Sequence, residues 1–520
     1  MKSGVVWCLV VTSILTCPCL GEFQVNTRTS DGQADAAVAM DANGNFVVVW
    51  SSYRGDGDSG SVFGRRFDAN CEPMGDEFQI NTTTIGNQTE PAVAMDASGN
   101  FVVVWHGPGV TEEDIFARRF DSNGQHLGDE FGVNTCTDSR QLCPSVAMNN
   151  DGNFVVVWES MDIPEEGKKA ICGQLYDSSG SSVGPEFVVN DEPSTCRYPD
   201  AAMHSSGRFV VVWVRDGTLK SVWVRHFEAD GNAPYLGSKV NDDFNFTSLT
   251  QPAVAIDAIG NYVIAWDGHR TDYLEDDIYL KRYHWSHAPI HDQFLVNTYQ
   301  AGGQRNPSIA MNEDGQFVVT WQSDTGTEGT KEGIFGQRFP SQGEHIGEPI
   351  LLGDEFRINT YRPDDQRYPA VVMGRDGEFV AVWQSDEQDG SDYGVFGEIG
   401  PRIGCADFSG DSFVNFGDYS VLAGEWLEEG NGLEADLMDD NRIDEQDLWA
   451  LCEQWLRPCY ECNEVDVYTD GKIDFKDYGL WARNWLKRGP NFEGDVTGDG
   501  IVDMVDLQGL IFHWVKSCEQ

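Results

Sequence analysis

Four stretches near the C-terminus place oxygen-bearing side chains at spacings that suit a hard divalent cation. The first carries Asp407, Ser409, Asp411, Asn415 and Asp418, and the last Asp495, Thr497, Asp499, Asp503 and Asp506. Between them lie Asp436, Asp440, Asp444 and Asp447, then Asp466, Asp470, Asp474 and Asp477. Side-chain oxygens at loop positions one, three, five, nine and twelve, with a backbone carbonyl at seven, wrap an ion of Ca²⁺ size, and Gly at six permits the sharp turn. Ca²⁺ is therefore the expected cofactor. The copies are unequal: Met438 and Tyr468 remove the third-position ligand from the inner loops, and Gly471 and Gly500 occupy the sixth position only in the last two.

Each loop runs into Asp-[Tyr/Leu]-x6-Trp, ending at Trp426, Trp455, Trp485 and Trp514. The apolar spacing of three to four predicts short helices with one buried stripe. Over Cys405 to Cys518 this pattern resembles a type I dockerin, in which paired loop-helix units bind calcium and present a helix face to a cohesin. The resemblance implies two modules, residues 403–459 and 460–520, and a cohesin-like partner. Positions ten and eleven of the loops, which help choose the cohesin in dockerins, are Phe416-Gly417, Glu445-Gln446, Phe475-Lys476 and Met504-Val505 rather than Ser-Thr.

A second group with ligand chemistry is His284, His287 and His291 beside Asp292. Imidazole and carboxylate suit a transition metal. Pro289 interrupts any helical register that would align them, so a drifted turn with exposed histidines is the preferred reading. Arg54-Gly55-Asp56 spells an adhesion-type tripeptide within a Gly/Asp-rich loop, where chance accounts for it. No HExxH, GxSxG, P-loop or dinucleotide fingerprint occurs, and no carboxylate pair is singled out.

These groups must be held by a repeating scaffold. The segment Pro-Ala-Val-Ala-Met … Phe-Val-Val-Val-Trp recurs seven times, closing at Trp50, Trp105, Trp158, Trp213, Trp266, Trp321 and Trp383. Each copy reads as four short strands separated by Asp-x-x-Gly turns, which is one propeller blade. The run Phe101 to Trp105 is apolar at every position, as expected of a strand buried on both faces. The short strand EFxVN occurs at Glu22 to Asn26, before the first copy, and is missing after the last at Val395 to Ile399. The N-terminal copy is therefore expected to complete the final blade and leave no open edge; the alternative is an open solenoid. Residues 22–402 resemble bacterial secreted β-propeller-type repeat proteins. The fold expected is mainly β, a seven-bladed β-propeller, followed by the small α-helical tandem.

Lys2 and the apolar run Val5 to Leu15 fit a signal peptide over residues 1–21, cleaved after Gly21 and leading to secretion. No later stretch is long and apolar enough to span a membrane. A net charge of −50 excludes a nucleic-acid backbone as partner. Of 13 cysteines, three precede Gly21, and the even remainder in an oxidising compartment suggests disulfides, with Cys136–Cys143, Cys405–Cys459 and Cys462–Cys518 as symmetric guesses. Together these features point to a secreted calcium-binding scaffold or recognition protein, docked through its tail. The alternative is an extracellular polysaccharide-degrading enzyme, a glycoside hydrolase or lyase, since dockerins are commonly appended to such enzymes; a polysaccharide is then the partner of the propeller.

Overall fold

Why the Phe-Val-Val-Val-Trp run has no polar face is plain from its neighbours. In the second strand of blade 1, Phe46–Tyr53, the side chains of Val47 and Val49 pack with Phe101, Val103 and Trp105 of blade 2. Phe46, Val48 and Trp50 pack the other way, with Val380, Val382 and Val395 of blade 7. Successive side chains on a strand point to opposite faces, so a sheet held between two others needs apolar residues at both parities.

The computed structural model describes residues 22–400, apart from 58, 162–168, 192–193, 218, 243–245, 271–274, 300–301, 325–330, 342–351, 362 and 376. The calcium loops at 407–418, 436–447, 466–477 and 495–506, the segment 1–21, and the pairs Cys405–Cys459 and Cys462–Cys518 lie outside the described residues. Within them the chain forms seven four-stranded antiparallel sheets, a seven-bladed β-propeller with no helix among the described residues. The first strand of each blade packs against the first strand of the next, and that of blade 7 against that of blade 1, so seven inner strands ring a central channel.

Six blades are continuous in sequence; the seventh is not. Its sheet joins Gln366–Met373, Phe379–Asp386 and Tyr393–Gly400 to the N-terminal strand Phe23–Gln24. Phe23 pairs with Gly397 and Gln24 with Phe396. The Val25 N–H donates to Val395 O at 2.9 Å. The Asn that ends each EFxVN strand is the repeated polar device of the outer edge. Its Oδ1 accepts the N–H of a third-strand residue at 2.7–2.8 Å, from Val62 to Asn81 in blade 1 round to Val395 to Asn26 in blade 7. A Glu four residues earlier ties seams between blades: Glu77 accepts from Thr27 N–H at 2.7 Å and Glu130 from Thr82 N–H at 2.6 Å. Glu22 does the same for Thr360 and Tyr361, closing the ring.

The closing tryptophans are core residues. In blades 1, 3, 6 and 7 the indole N–H donates to a Gln that opens the inner strand, at 3.1 Å for Trp50–Gln33 and 2.8 Å for Trp383–Gln366, and blade 4 has Cys196 there. Blade 5 has Leu249 at that position, and the buried Trp266 Nε1 is left without a partner. The Asp-x-x-Gly turns close on themselves: Asp96 Oδ1 accepts from Ser98 and Asn100 N–H at 2.9 Å, with Gly99 at φ 85°.

One disulfide expectation fails. Cys136 and Cys143 are free thiols. Cys143 sits in an inner strand, and its thiol is taken up by the side chains of Glu90 and Glu159 instead of turning toward the loop that holds Cys136.

Candidate functional site

Every inner strand breaks register at the same place, between Ala34 and Ala37 in blade 1, Thr89 and Ala92 in blade 2, and so on round the ring. The residue in the break adopts positive φ in all seven blades: Asp35 53°, Glu90 53°, Cys143 51°, Tyr198 53°, Gln251 38°, Asn306 54° and Tyr368 53°. The following residue is Pro in six blades and has no N–H to offer a ladder, which suits a bulge. A left-handed non-Gly residue costs about 1 kcal/mol or more, so the conformation is imposed by the architecture. The side chain is not: the seven residues include two acids, a thiol, two amides and two phenols.

These strands begin opposite the ends of the second strands, as in the pairing of Ala34 with Ser51. The bulges therefore surround one mouth of the channel, at the end of the ring that carries the loops after each second strand. In five blades the residue following the closing Trp, Ser51, Glu159, Asp267, Gln322 or Gln384, backs the bulge of the next blade. Ser51 Oγ accepts the Glu90 N–H at 3.2 Å, Glu159 Oε1 the Tyr198 N–H at 2.8 Å, and Gln322 Oε1 the Tyr368 N–H at 3.1 Å. Asp267 accepts from Thr250 Oγ1 at 2.7 Å and from Asn306 N–H at 3.4 Å.

The acidic sector of the mouth spans blades 1 to 3. Burial raises the Asp35 carboxyl above its ordinary range, and a hydrogen bond from the Ser51 hydroxyl opposes this. Glu90 is raised by burial first and then by the Asp35 charge, while contact with Cys143 pulls the other way. The Glu90 side chain is 48% exposed, facing the mouth. His106 lies behind it with Nδ1 at 3.5 Å from Glu90 Oε2 and Nε2 at 3.1 Å from Thr89 Oγ1. Burial lowers His106 to about 4, so the imidazole is neutral near pH 7. Glu159 is buried and faces the Lys169 ammonium at 3.6 Å. On the rim Tyr198 is half-buried and Tyr368 is exposed.

Deeper in the channel Asp200 bridges three blades, accepting from Ser145 Oγ at 2.8 Å and from Val254 N–H at 2.9 Å. Cations flanking the mouth are paired: Arg140 with Glu113 at 2.6 Å, Arg197 with Asp216 at 2.9 Å, Arg305 with Asp276 at 2.7 Å, and Arg367 with Glu332 and Asp365.

The three histidines named from sequence are not brought together. His284 Nδ1 contacts Asn261 Oδ1 at 3.2 Å, while the His287 ring lies against His226 of the preceding blade. Among the described residues no group of three His, Cys, Asp or Glu side chains converges as a metal site. Arg54-Gly55-Asp56 is held in a turn by Arg28, whose guanidinium donates to the Gly55 and Arg54 carbonyls at 2.6 and 3.0 Å. The channel-mouth set was not singled out from sequence. Its signal is a column: the residue before Pro-Ala-Val-Ala-Met changes chemistry in almost every copy while its flanks hold.

No family model matches the chain, and no curated protein matches it. Solved structures with a similar fold include a protein of unknown function from Dyadobacter fermentans, at 10% identity over 73% of this chain and 97% of that one, with a TM-score of 0.43. A polysaccharide lyase described as a PL25 ulvan lyase matches at 10% identity over 72% and 96%, with a TM-score of 0.49. An α-L-arabinanase of Penicillium chrysogenum, complexed with arabinobiose, matches at 12% identity over 74% and 99%, with a TM-score of 0.39.

Proposed function

We propose that the protein is a polysaccharide-degrading enzyme, a glycoside hydrolase whose active site is the channel mouth, with Glu90 as general acid and Asp35 as its carboxylate partner. The observation that carries this reading is the pair itself. Two carboxyls occupy equivalent strained positions on adjacent blades, and burial raises both above the ordinary carboxylate range. Glycosidic cleavage needs this combination: one carboxylic acid to protonate the leaving oxygen and one carboxylate to act as base or nucleophile. His106, neutral, lies behind the acid with Nδ1 3.5 Å from it. Tyr198 and Tyr368 offer faces on which sugar rings stack, and Gln251 and Asn306 supply amides for hydroxyl groups.

Between hydrolase and lyase, electrostatics favours the hydrolase. Lyases act on uronate polymers, which carry a negative charge on each acidic sugar. Here the arginines flanking the mouth are neutralised by carboxylates, the mouth adds Asp35 and Glu90, and the chain carries a net charge of −50. A neutral polysaccharide fits this field. The calcium loops and the cohesin-like partner complete the proposal: the dockerin-like tail anchors the enzyme at an extracellular assembly. No helix among the described residues is long and apolar enough to cross a membrane. The test is to incubate the purified protein with neutral polysaccharides and with uronate polymers, following both reducing ends and unsaturated ends. Reducing ends from a neutral polymer are the expected result. Unsaturated ends from a uronate polymer would assign a lyase, and tight glycan binding with no new ends would return the protein to the scaffold reading.

A further inference from the structure

On the end of the ring away from the channel mouth, an arginine of the third strand clamps the next blade's Asp-x-x-Gly turn in blades 1 and 2. Arg66 donates to the Ser122 and Asn123 carbonyls at 2.6 Å and lies 3.8 Å from Met74 Sδ, and Arg119 donates to the Ser178 carbonyl at 2.6 Å. Blades 3, 4 and 7 have Leu175, His226 and Ile399 in place of the arginine. Two of those seams are filled from the turn, whose glycine has also changed: the His287 ring centroid lies 3.6 Å from that of His226, and Cys71 packs in the cluster that includes Ile399. The seam between blades 3 and 4 keeps its Gly231, and a cavity of about 330 Å³ opens there.

The cavity corresponds to the space that a guanidinium head fills in the clamped seams. Its lining includes Leu175, Val183 and Ala229, the counterparts of Arg66 and of the Met74 and Ser122 that Arg66 touches. A side chain added at Gly231 would meet Leu175 Cδ1 at 3.0 Å, as one at Gly124 would meet Arg66 Cδ at 3.0 Å, so the leucine stands where the arginine stem runs. The Ala229 and Asp230 carbonyls take the places of the two clamped carbonyls, and among the described residues neither receives a hydrogen bond. The acid that opens the turn is kept, with Glu228 for Asp121. Asp151, which lines the cavity, and Asp230 stand where the clamped seam has Asn43 and Asn123, which adds two carboxylates. None of these three acids is in an ion pair among the described residues. Arg208, whose Nε contacts Ser206 Oγ, is turned to the following seam, 4.3 Å over the Trp285 ring.

We propose that this cavity binds an alkylguanidinium group, the chemistry of an arginine side chain, carried by another molecule. Its head donates to the Ala229 and Asp230 carbonyls, its charge is met by Glu228, Asp230 and Asp151, and its stem lies on Leu175 and Val183. A guanidinium is planar and presents several N–H donors in a fixed fork, so it reaches two neighbouring carbonyls at once, whereas an alkylammonium is a point charge. The ligand thus supplies from outside what Arg66 and Arg119 supply from within the chain. The site lies at the opposite end of the ring from the channel mouth, so its failure would leave the hydrolase reading as it stands.

The test is titration calorimetry of the full-length protein with butylguanidinium and with pentylammonium, which match in charge and length. Wild type should bind a single equivalent of butylguanidinium, at least roughly tenfold more tightly than pentylammonium. Leu175→Arg restores the residue of blades 1 and 2, so it should fill the cavity from within, abolish that binding and raise Tm. Asp230→Asn leaves the cavity open and removes one carboxylate, so it should weaken binding several-fold and keep the folding check independent of Leu175. A capped Gly-Arg-Gly peptide that competes with butylguanidinium would extend the site to an arginine of a partner chain, and one that fails to compete would confine it to free alkylguanidines. No binding by wild type, equal affinity for the two cations, or binding unchanged in a folded Leu175→Arg protein would overturn the site.

Discussion

Asp267 shows how far the ring's interior departs from water. It is 4% exposed, and burial raises its carboxyl to about 6 against the hydrogen bonds from Thr250. A carboxyl whose folded value lies above the unfolded one keeps its proton longer in the native state. Its contribution is therefore present at low pH and is lost as pH rises from about 4 to about 6. A shift of about two units corresponds to about 3 kcal/mol. Denaturation across this range should show wild type losing up to that much stability relative to Asp267→Asn, with the two curves parallel above pH 7; parallel curves throughout would place Asp267 in a wetter setting. The same reasoning explains why the site residues escape a reading by periodicity. Asp35, Glu90 and Cys143 sit in strands whose pattern continues on both sides, and only the bulge turns them toward the mouth. A one-residue irregularity in register leaves no mark on an apolar period. The histidines show the opposite limit: His284, His287 and His291 are neighbours in sequence, whereas His287 finds its partner a whole blade earlier.

At the scale of elements, the strands were legible because their physics is local. Five consecutive apolar residues demand two buried faces, and Asp-x-x-Gly demands a turn. Ring closure was legible too, from an EFxVN strand that stood before the first repeat and was missing after the last. The structure places it on Val395 to Gly397. Removing Glu22 to Asn26 would expose the outer strand of blade 7, lose the fully buried Val25 and leave the Val395 N–H without Asn26. Together these should cost about 3 kcal/mol or more. Thermal unfolding of the truncated protein should show a clear drop in Tm. An unchanged melting temperature would mean that the clasp strand does not hold the ring. The disulfide guess failed because sequence spacing places Cys136 near Cys143 but says nothing of the bulge, which commits the Cys143 thiol to two carboxylates.

For the whole molecule, the proposal couples an acidic catalytic ring to a calcium-dependent tail. Clustered carboxylates repel one another until a divalent ion binds, so calcium should increase the helix content of the isolated segment 405–520, followed by circular dichroism with chelator as control. Replacing Asp495 and Asp499 with Ala strips the most complete loop and should weaken calcium binding roughly tenfold or more. The same change at Asp466 and Asp470 acts on a loop that already lacks a ligand at Tyr468 and should matter less by calorimetry. Equal helicity with and without calcium would withdraw the structural role of the ion. The central claim concerns the ring, and one comparison tests it most directly: reducing-end release by wild type and Glu90→Gln on a neutral polysaccharide. Losing the general acid should lower kcat/KM by roughly 100-fold or more while leaving Tm within a few degrees. A Glu90→Gln protein that cleaves as fast as wild type would contradict the assignment of the channel mouth as the active site.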